Sequence, residues 1–152
     1  MRIEKDYEKL FVLLNKHDVK YCVIGGFAFA LYAYPRYTKD IDILVESSQE
    51  NATKILEVLK EFGFGSLDLK EEDFTTPGQI IQLGYEPMRI DFIMEIQGLS
   101  FDEIWQTRNQ QAYGKENVWF ISLENLIKAK KLANRPHDQA DVADLIKVRK
   151  RK

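Results

Sequence analysis

The sequence of 152 residues has one cysteine, two histidines and no long uncharged run. Cys22 cannot form an internal disulfide, and cysteine and histidine are too few for a zinc site of the usual kind. The longest stretch without a charged side chain, Tyr21 to Pro35, is shorter than a membrane-spanning helix and contains adjacent glycines. These absences exclude a disulfide scaffold, a zinc module and a membrane span.

The remaining composition is that of a globular protein. The chain begins Met-Arg-Ile-Glu-Lys-Asp, without the apolar segment of a secretory signal. Apolar residues make up 45% and charged residues 30%, a balance typical of folded and not disordered chains. The length predicts one domain with a full core. We therefore expect a single cytoplasmic domain over residues 1–152, with no membrane association.

Charge is distributed unevenly along the chain. Residues 1–127 carry 13 Lys/Arg against 21 Asp/Glu, whereas residues 128–152 carry 9 against 3. The basic end could place positive charge beside an anionic substrate. Alternatively, residues 147–152 form the solvated end of a helix, where basic side chains complement the helix dipole.

Apolar periodicity, cap residues and turn residues divide the chain into helices and strands. The predicted helices cover residues 4–17, 27–34, 101–108, 123–133 and 136 to about 148, with another running from a capping box at 47–50 to Phe62. The predicted strands are Tyr21–Ile24, Asp40–Val45, Gln79–Tyr85, Met88–Met94 and Asn117–Ile121, and residues 66–77 are expected to form a surface loop. Several connections are hairpin-short, which favours an α+β fold: a mixed, largely antiparallel sheet flanked by helices.

Asp40 and Asp42 lie two residues apart at the start of an apolar predicted strand. Alternate residues of a strand share a face, so the two carboxylates project together while Ile41 and Ile43 enter the core. Adjacent carboxylates repel unless a cation lies between them, and Mg²⁺ prefers such hard oxygen ligands. The alternative is a solvated strand end whose aspartates blunt a sheet edge.

A third aspartate, Asp91, lies inside the predicted strand Met88–Met94, where aspartate is uncommon. If that strand lies next to Asp40–Val45, the three carboxylates form one cluster. Such a cluster can hold two divalent ions, which assist in-line attack on phosphorus. Alternatively, Asp91 forms an ion pair with Arg89 or Lys39.

Gly25 and Gly26 lie between a predicted strand and a predicted helix. Bare backbone at this point allows a phosphate to approach the N–H groups at the start of the helix. A tight strand-to-helix turn would require glycine as well.

Taken together, these motifs resemble the nucleotidyltransferase superfamily, which has a DNA polymerase β-like palm. Within it, the chain is similar to the small bacterial branch related to toxin-type and antibiotic-modifying nucleotidyltransferases. The similarity covers about residues 20–146. It is carried by Gly25-Gly26, the run from Arg36 through Thr38 to Asp40-Ile41-Asp42, Asp91, Leu126-Ile127, Lys130, Ala133, Arg135-Pro136, Asp138 and Asp141.

The resemblance implies transfer of a nucleoside monophosphate from an NTP, with release of pyrophosphate and with two divalent ions, Mg²⁺ or Mn²⁺, as cofactors. It assigns the metal-binding and catalytic roles to Asp40, Asp42 and Asp91, and gives Asp91 a part in deprotonating the acceptor. It assigns nucleotide binding to Gly25, Gly26, Arg36 and Thr38. Many members have serine in place of Gly26, where the hydroxyl contacts a phosphate.

Two helical stripes near the C-terminus also carry charges. Lys130 lies at the edge of one apolar stripe, and Asp138 and Asp141 lie within the next. Lys130 and Arg135 either bind the triphosphate, held in place by the two aspartates, or belong to a structural ion-pair set.

The leading hypothesis is a Mg²⁺-dependent nucleotidyltransferase that acts on an acceptor hydroxyl of a tRNA end, a protein or a small molecule such as an aminoglycoside. A second hypothesis is a catalytically idle member of the same fold that binds nucleotide or a partner protein, as an antitoxin-like regulatory module. A third is an α/β scaffold with acids on its surface. Convergence of Asp91 with Asp40 and Asp42 would favour the enzyme.

Overall fold

The computed structural model describes residues 3–85 and 88–151. Helices and strands interleave along these residues. The helices are α1 (Lys5–Lys16), α2 (Gly25–Tyr32), α3 (Gln49–Leu59), α4 (Phe101–Gln106), α5 (Leu123–Ala133) and α6 (Pro136–Lys150). The strands are β1 (Tyr21–Ile24), β2 (Asp40–Val45), β3 (Ile80–Leu83), β4 (Arg89–Ile93), β5 (Asn109–Tyr113) and β6 (Glu116–Phe120).

The strands form one mixed sheet in the order β3-β4-β2-β1-β6-β5. The pairs β1–β2, β3–β4 and β5–β6 are antiparallel, whereas β1–β6 and β2–β4 are parallel. Helix α2 packs against β1, β2, α5 and α6, and α1 packs against β6 and α3. The predicted α+β class, with a mixed, largely antiparallel sheet flanked by helices, is confirmed.

The core is built from the central strands and the apolar faces of the helices. All four residues of β1 are buried, because its two neighbours in the sheet and the helices around it cover both faces. The first half of β2 alternates instead. Ile41 and Ile43 are completely buried, while Asp40 and Asp42 keep partial exposure on the other face.

Ser48, Ser100 and Ser122 cap helices α3, α4 and α5 with their side chains. Ser48 accepts a hydrogen bond from the Asn51 N–H at 3.1 Å at the start of α3, one residue later than the predicted capping box. Ser122 accepts from the Asn125 N–H at 3.1 Å and begins α5 as predicted. Each cap satisfies a backbone donor that the first turn would leave without a partner.

Several predicted boundaries are wrong. Strand β5 was not predicted, and α2 begins at Gly25 instead of Phe27. The predicted surface loop at 66–77 contains a helical turn, Glu71–Phe74, and Phe74 is completely buried in edge-to-face contact with Phe92. The predicted turn at 86–87 lies outside the described residues. Within residues 3–85 and 88–151, no helix is both long enough and apolar enough to cross a bilayer.

Candidate active site

Three aspartates come together on the adjacent parallel strands β2 and β4. Asp40 and Asp42 lie on one face of β2, and Asp42 is in register with Asp91 of β4. The three residues, called here the carboxylate cluster, each place one carboxylate oxygen within 4.8 Å of the others. This is the convergence that the sequence left open.

Arg89 bridges two members of the carboxylate cluster. It lies opposite Asp40 in the strand register, and its Nη2 donates to Asp40 Oδ2 at 2.8 Å and to Asp91 Oδ2 at 3.0 Å. Its Nε donates to Asp91 Oδ1 at 3.1 Å. Asp91 therefore belongs to the cluster and is paired with Arg89 at the same time, although the sequence presented these arrangements as alternatives.

Asp42 is the member that Arg89 does not reach. Among the residues that the structure describes, it has no hydrogen-bonding or ion-pairing partner, and burial, reinforced by the charges of Asp40 and Asp91, raises its pKa to about 7. Burial also raises the pKa of Asp91, against the hydrogen bonds from Arg89. Three converging oxygen donors, one of them lacking a protein cation, fit a hard divalent ion, which would relieve this repulsion.

The predicted glycines form the turn beside the cluster. Gly25 has φ +67°, a left-handed conformation that side chains rarely adopt, and a Cβ there would overlap the Asp42 carboxylate. A Cβ on Gly26 would overlap the Thr38 methyl group. The turn therefore brings bare backbone against Asp42, and Thr38 occupies the space that a side chain at position 26 would need.

The predicted nucleotide-binding cations lie in a second group of charges, called here the C-terminal network: Arg36, Lys130, Arg135, Asp138 and Asp141. Asp141 accepts hydrogen bonds from Arg36 at 2.8 and 2.9 Å and from Lys130 at 2.9 Å. Asp138 accepts from Arg135 Nε at 2.6 Å, and Lys130 Nζ lies 3.7 Å from it. The ion pairs that the sequence offered as one alternative for Lys130, Arg135, Asp138 and Asp141 are therefore present, and Arg36 joins them.

Burial and pairing act against each other in the C-terminal network. Asp138, Asp141 and Lys130 are buried. Burial alone would raise the pKa of both carboxyls, but the hydrogen bonds and charges of the surrounding cations outweigh it and hold both pKa values below the usual range. Each acid thus stays ionised because a cation contacts it.

The two groups of charges interact. The positive charge of Lys130 lowers the pKa of Asp42, against the larger effect of burial, and the negative charge of Asp42 contributes to raising the pKa of Arg135. The Arg135 side chain is 64% exposed, in contrast to its partner Asp138. Arg135 is therefore the member of the network most open to a ligand beside the carboxylate cluster.

Two contacts in this region carried no signal in the sequence. Arg36 and Asp141 are 105 residues apart in the chain, and no local pattern links them. The Arg36 guanidinium lies 4.0 Å from the centre of the Phe29 ring, a distance at which a cation is attracted to the ring face. Phe29 was predicted only as part of a short buried helix.

The family comparison identifies the chain over nearly its whole length. The family model described as "Nucleotidyltransferase of unknown function (DUF6036)" matches residues 1–149. A search of curated proteins finds no significant match.

Solved structures share the fold at low sequence identity. A protein of Thermotoga maritima described as a nucleotidyltransferase has a TM-score of 0.60 at 16% identity, covering 96% of each chain. The lincosamide antibiotic adenylyltransferase LnuA, solved with lincomycin bound, has a TM-score of 0.56 at 16% identity, covering 95% of this chain and 97% of its own. ANT(2″)-Ia, solved with adenylyl-2″-tobramycin, has a TM-score of 0.56 at 14% identity, covering 91% and 84%.

Proposed function

The chain belongs to this nucleotidyltransferase family, and from that membership we propose that it is a Mg²⁺-dependent enzyme that transfers a nucleoside monophosphate from an NTP to an acceptor hydroxyl. The observation that carries the proposal is the convergence of Asp40, Asp42 and Asp91 on one face of two adjacent strands. Hydrophobic packing does not require three carboxylates within 4.8 Å, and their mutual repulsion opposes it.

The carboxylate cluster is the proposed metal site. Asp40, Asp42 and Asp91 would hold Mg²⁺, or Mn²⁺, and we propose two ions. Bound there, divalent ions would neutralise charge on the triphosphate and make an acceptor hydroxyl easier to deprotonate. Asp42 suits this role because, among the described residues, no cation forms a hydrogen bond or ion pair with its carboxylate, which faces the glycine turn.

The protein's own groups would position the reactants for attack by the acceptor oxygen on the α-phosphorus. The new bond joins that oxygen to phosphorus, and the bond from the α-phosphorus to the bridging oxygen of the β-phosphate breaks, which releases pyrophosphate. We assign to Asp91 the acceptance of the hydroxyl proton, since burial raises its pKa and it lies within the carboxylate cluster.

Nucleotide binding would use the glycine turn and the C-terminal network. The backbone of Gly25 and Gly26 would face the triphosphate beside Thr38. Among the cations, Arg135 is the exposed one, while Arg36 and Lys130 would act from positions held by Asp141.

We propose a small-molecule hydroxyl as the acceptor, in preference to a tRNA end or a protein. Two structures that share the fold over more than nine-tenths of this chain are named for antibiotic adenylylation or hold an adenylylated antibiotic. We also propose a cytoplasmic location, in keeping with the proposed NTP donor.

A second candidate function is a catalytically idle module that binds nucleotide or a partner protein, such as an antitoxin-like regulator. Arg89 favours this candidate, because it already supplies a cation to Asp40 and Asp91. The two candidates differ in whether label moves from an NTP to an acceptor.

The test is label transfer by matched variants. The wild type, Asp42→Asn and Asp102→Asn would be incubated with each α-labelled NTP, Mg²⁺, a panel of hydroxyl-bearing antibiotics and cell extract. Asp102 is an exposed acid of α4, so its variant makes the same charge change away from the site. We expect Asp42→Asn to lower transfer at least about a thousandfold, since a lost metal ligand removes several kcal/mol of transition-state stabilisation.

Asp102→Asn should transfer label at the wild-type rate. Full transfer by Asp42→Asn would refute the proposed site. Nucleotide binding by a wild type that labels no acceptor would support the idle module instead.

A further inference from the structure

We propose that Arg89 is an internal counter-cation of the carboxylate cluster: by its hydrogen bonds to Asp40 and Asp91 it competes with, and so weakens, binding of the first divalent ion. The inference rests on the proposed function, because it assumes that Asp40, Asp42 and Asp91 bind metal. It adds a role for a residue that is neither a metal ligand nor part of the C-terminal network.

The strand register creates the arrangement. Asp40 lies opposite Arg89 and Asp42 lies opposite Asp91 in the parallel pair β2–β4. Since alternate residues of a strand share a face, these four side chains project from one face of the sheet. Three acids and one base thus occupy a single patch, and the guanidinium is the one cation that the register places inside it.

The contacts of Arg89 engage carboxylate oxygens of two of the three proposed metal ligands. Its Nη2 donates hydrogen bonds to Asp40 Oδ2 at 2.8 Å and to Asp91 Oδ2 at 3.0 Å. Its Nε donates to the other Asp91 oxygen, Oδ1, at 3.1 Å. Both oxygens of Asp91 are therefore engaged, in a side chain that is only 7% exposed. A metal ion that binds Asp91 must displace one of these hydrogen bonds or share an oxygen with a nearby positive charge.

An alternative role for Arg89 predicts the opposite sign. If the guanidinium only orients Asp91 as a ligand, as hydrogen-bonding groups around metal ligands do, its removal should weaken metal binding. If it competes with the metal, its removal should strengthen metal binding and destabilise the metal-free protein, whose carboxylates would then repel each other. The sign of the change in metal affinity therefore separates positioning from competition.

The experiment measures Mn²⁺ affinity without nucleotide, by calorimetry and by electron paramagnetic resonance, for wild type, Arg89→Gln, Arg89→Lys and Arg149→Gln. Arg149 of α6 is the matched control, since its pair with Glu124 of α5 is exposed. We expect Arg89→Gln to bind Mn²⁺ at least about tenfold more tightly than wild type, in line with the effect of one nearby charge. Arg149→Gln should bind Mn²⁺ as the wild type does.

Arg89→Lys keeps the positive charge but loses the bidentate contact with Asp91, so its Mn²⁺ affinity should lie closer to that of the wild type. Thermal unfolding provides a second measurement. Without metal, Arg89→Gln should unfold at a lower temperature than the wild type, and saturating Mn²⁺ should reduce or reverse this difference.

Binding by Arg89→Gln that equals or falls below the wild-type affinity would overturn the inference, as would an Arg89→Lys protein that binds as tightly as Arg89→Gln. A wild type that binds no Mn²⁺, or whose binding survives Asp42→Asn, would instead refute the metal site of the proposed function. The two failures are thus distinguishable.

Discussion

The carboxylate cluster and the C-terminal network both combine aspartates with cationic side chains, but acids are in excess in the cluster and cations are in excess in the network. In the first, three aspartates share one arginine, and the pKa values of Asp42 and Asp91 are raised. In the second, two aspartates share two arginines and a lysine, and the pKa values of Asp138 and Asp141 are lowered. Burial raises the pKa in all four cases, so the supply of cations decides the direction.

This difference agrees with the proposed roles, in which the carboxylate cluster binds metal and the C-terminal network holds the nucleotide-binding cations in position. In the C-terminal network each aspartate is paired with a cation of the same chain. Through Asp141 the network connects the segment before β2 to α5 and α6. The carboxylate cluster retains excess negative charge that further cations can neutralise. A molecule that carries both positive and negative charge, such as a metal–triphosphate complex, would complement the pair of regions.

The largest effect on stability should come from breaking ion pairs of the C-terminal network. Asp141→Asn removes the carboxylate that holds Arg36 and buried Lys130, and a buried charge that loses its partner is costly. We expect the free energy of unfolding to fall by about 3 kcal/mol, measured by urea denaturation without metal. Asp138→Asn should cost less, about 1–3 kcal/mol, because Lys130 keeps its contact with Asp141.

Asp42→Asn is the corresponding change in the carboxylate cluster. It removes repulsion and no hydrogen bond from the described residues, so the metal-free protein should be as stable as the wild type or more stable. If Asp42→Asn destabilised the protein as much as Asp141→Asn, the two regions would not differ in the way described above.

A smaller effect should appear in the pH dependence of stability. The pKa of Asp42 is about 7 in the folded state against an ordinary value of 3.8. Between these values the folded protein retains a proton that the unfolded chain has released, so the contribution of Asp42 to stability falls as pH rises. Relative to Asp42→Asn, metal-free wild type should lose on the order of 2 kcal/mol between about pH 5 and about pH 8.

Asp141 should show the opposite sign. Its pKa is lowered in the folded state, so its contribution is present above the ordinary value and is lost as pH falls through the lowered one. The stability deficit of Asp141→Asn relative to wild type should therefore be largest near neutral pH and shrink on acidification. Parallel pH profiles for the two variants would contradict the assignment of opposite shifts.

The sequence predicted the parts of this molecule that local pattern determines. Strand β2 and helix α5 have the predicted bounds, because apolar alternation and the Ser122 cap act within a few residues. Strand β5 was missed because Asn109-Gln110-Gln111 is polar and lies at the edge of the sheet. A signal was present in Gly114, which has φ +62° in the two-residue turn between Tyr113 and Glu116.

The sequence allowed the residues of the candidate site to be predicted, but not the contacts that those residues make with one another. Asp40 and Asp42 are neighbours in sequence, so strand periodicity alone places them on one face. Their convergence with Asp91 depends on the parallel pairing of β2 and β4, which local pattern does not specify. The link between Arg36 and Asp141 joins residues 105 positions apart, and it forms because α6 packs beside α2.

The smallest effect should follow from removing residues 149–152, the end of the basic segment. The deletion breaks the pair between Arg149 and Glu124, whose oxygen lies 3.0 Å from Arg149 Nη1, but both side chains are at least 40% exposed. Solvent and salt screen such a pair, so we expect the free energy of unfolding to change by no more than about 0.5 kcal/mol. Glu124→Gln should reproduce that change.

The same deletion has a second expected effect if the acceptor is anionic. It should then weaken acceptor binding and flatten the salt dependence of that binding, because fewer counterions are released. If the deletion lowered stability as much as Asp141→Asn does, the basic end would be part of the C-terminal network.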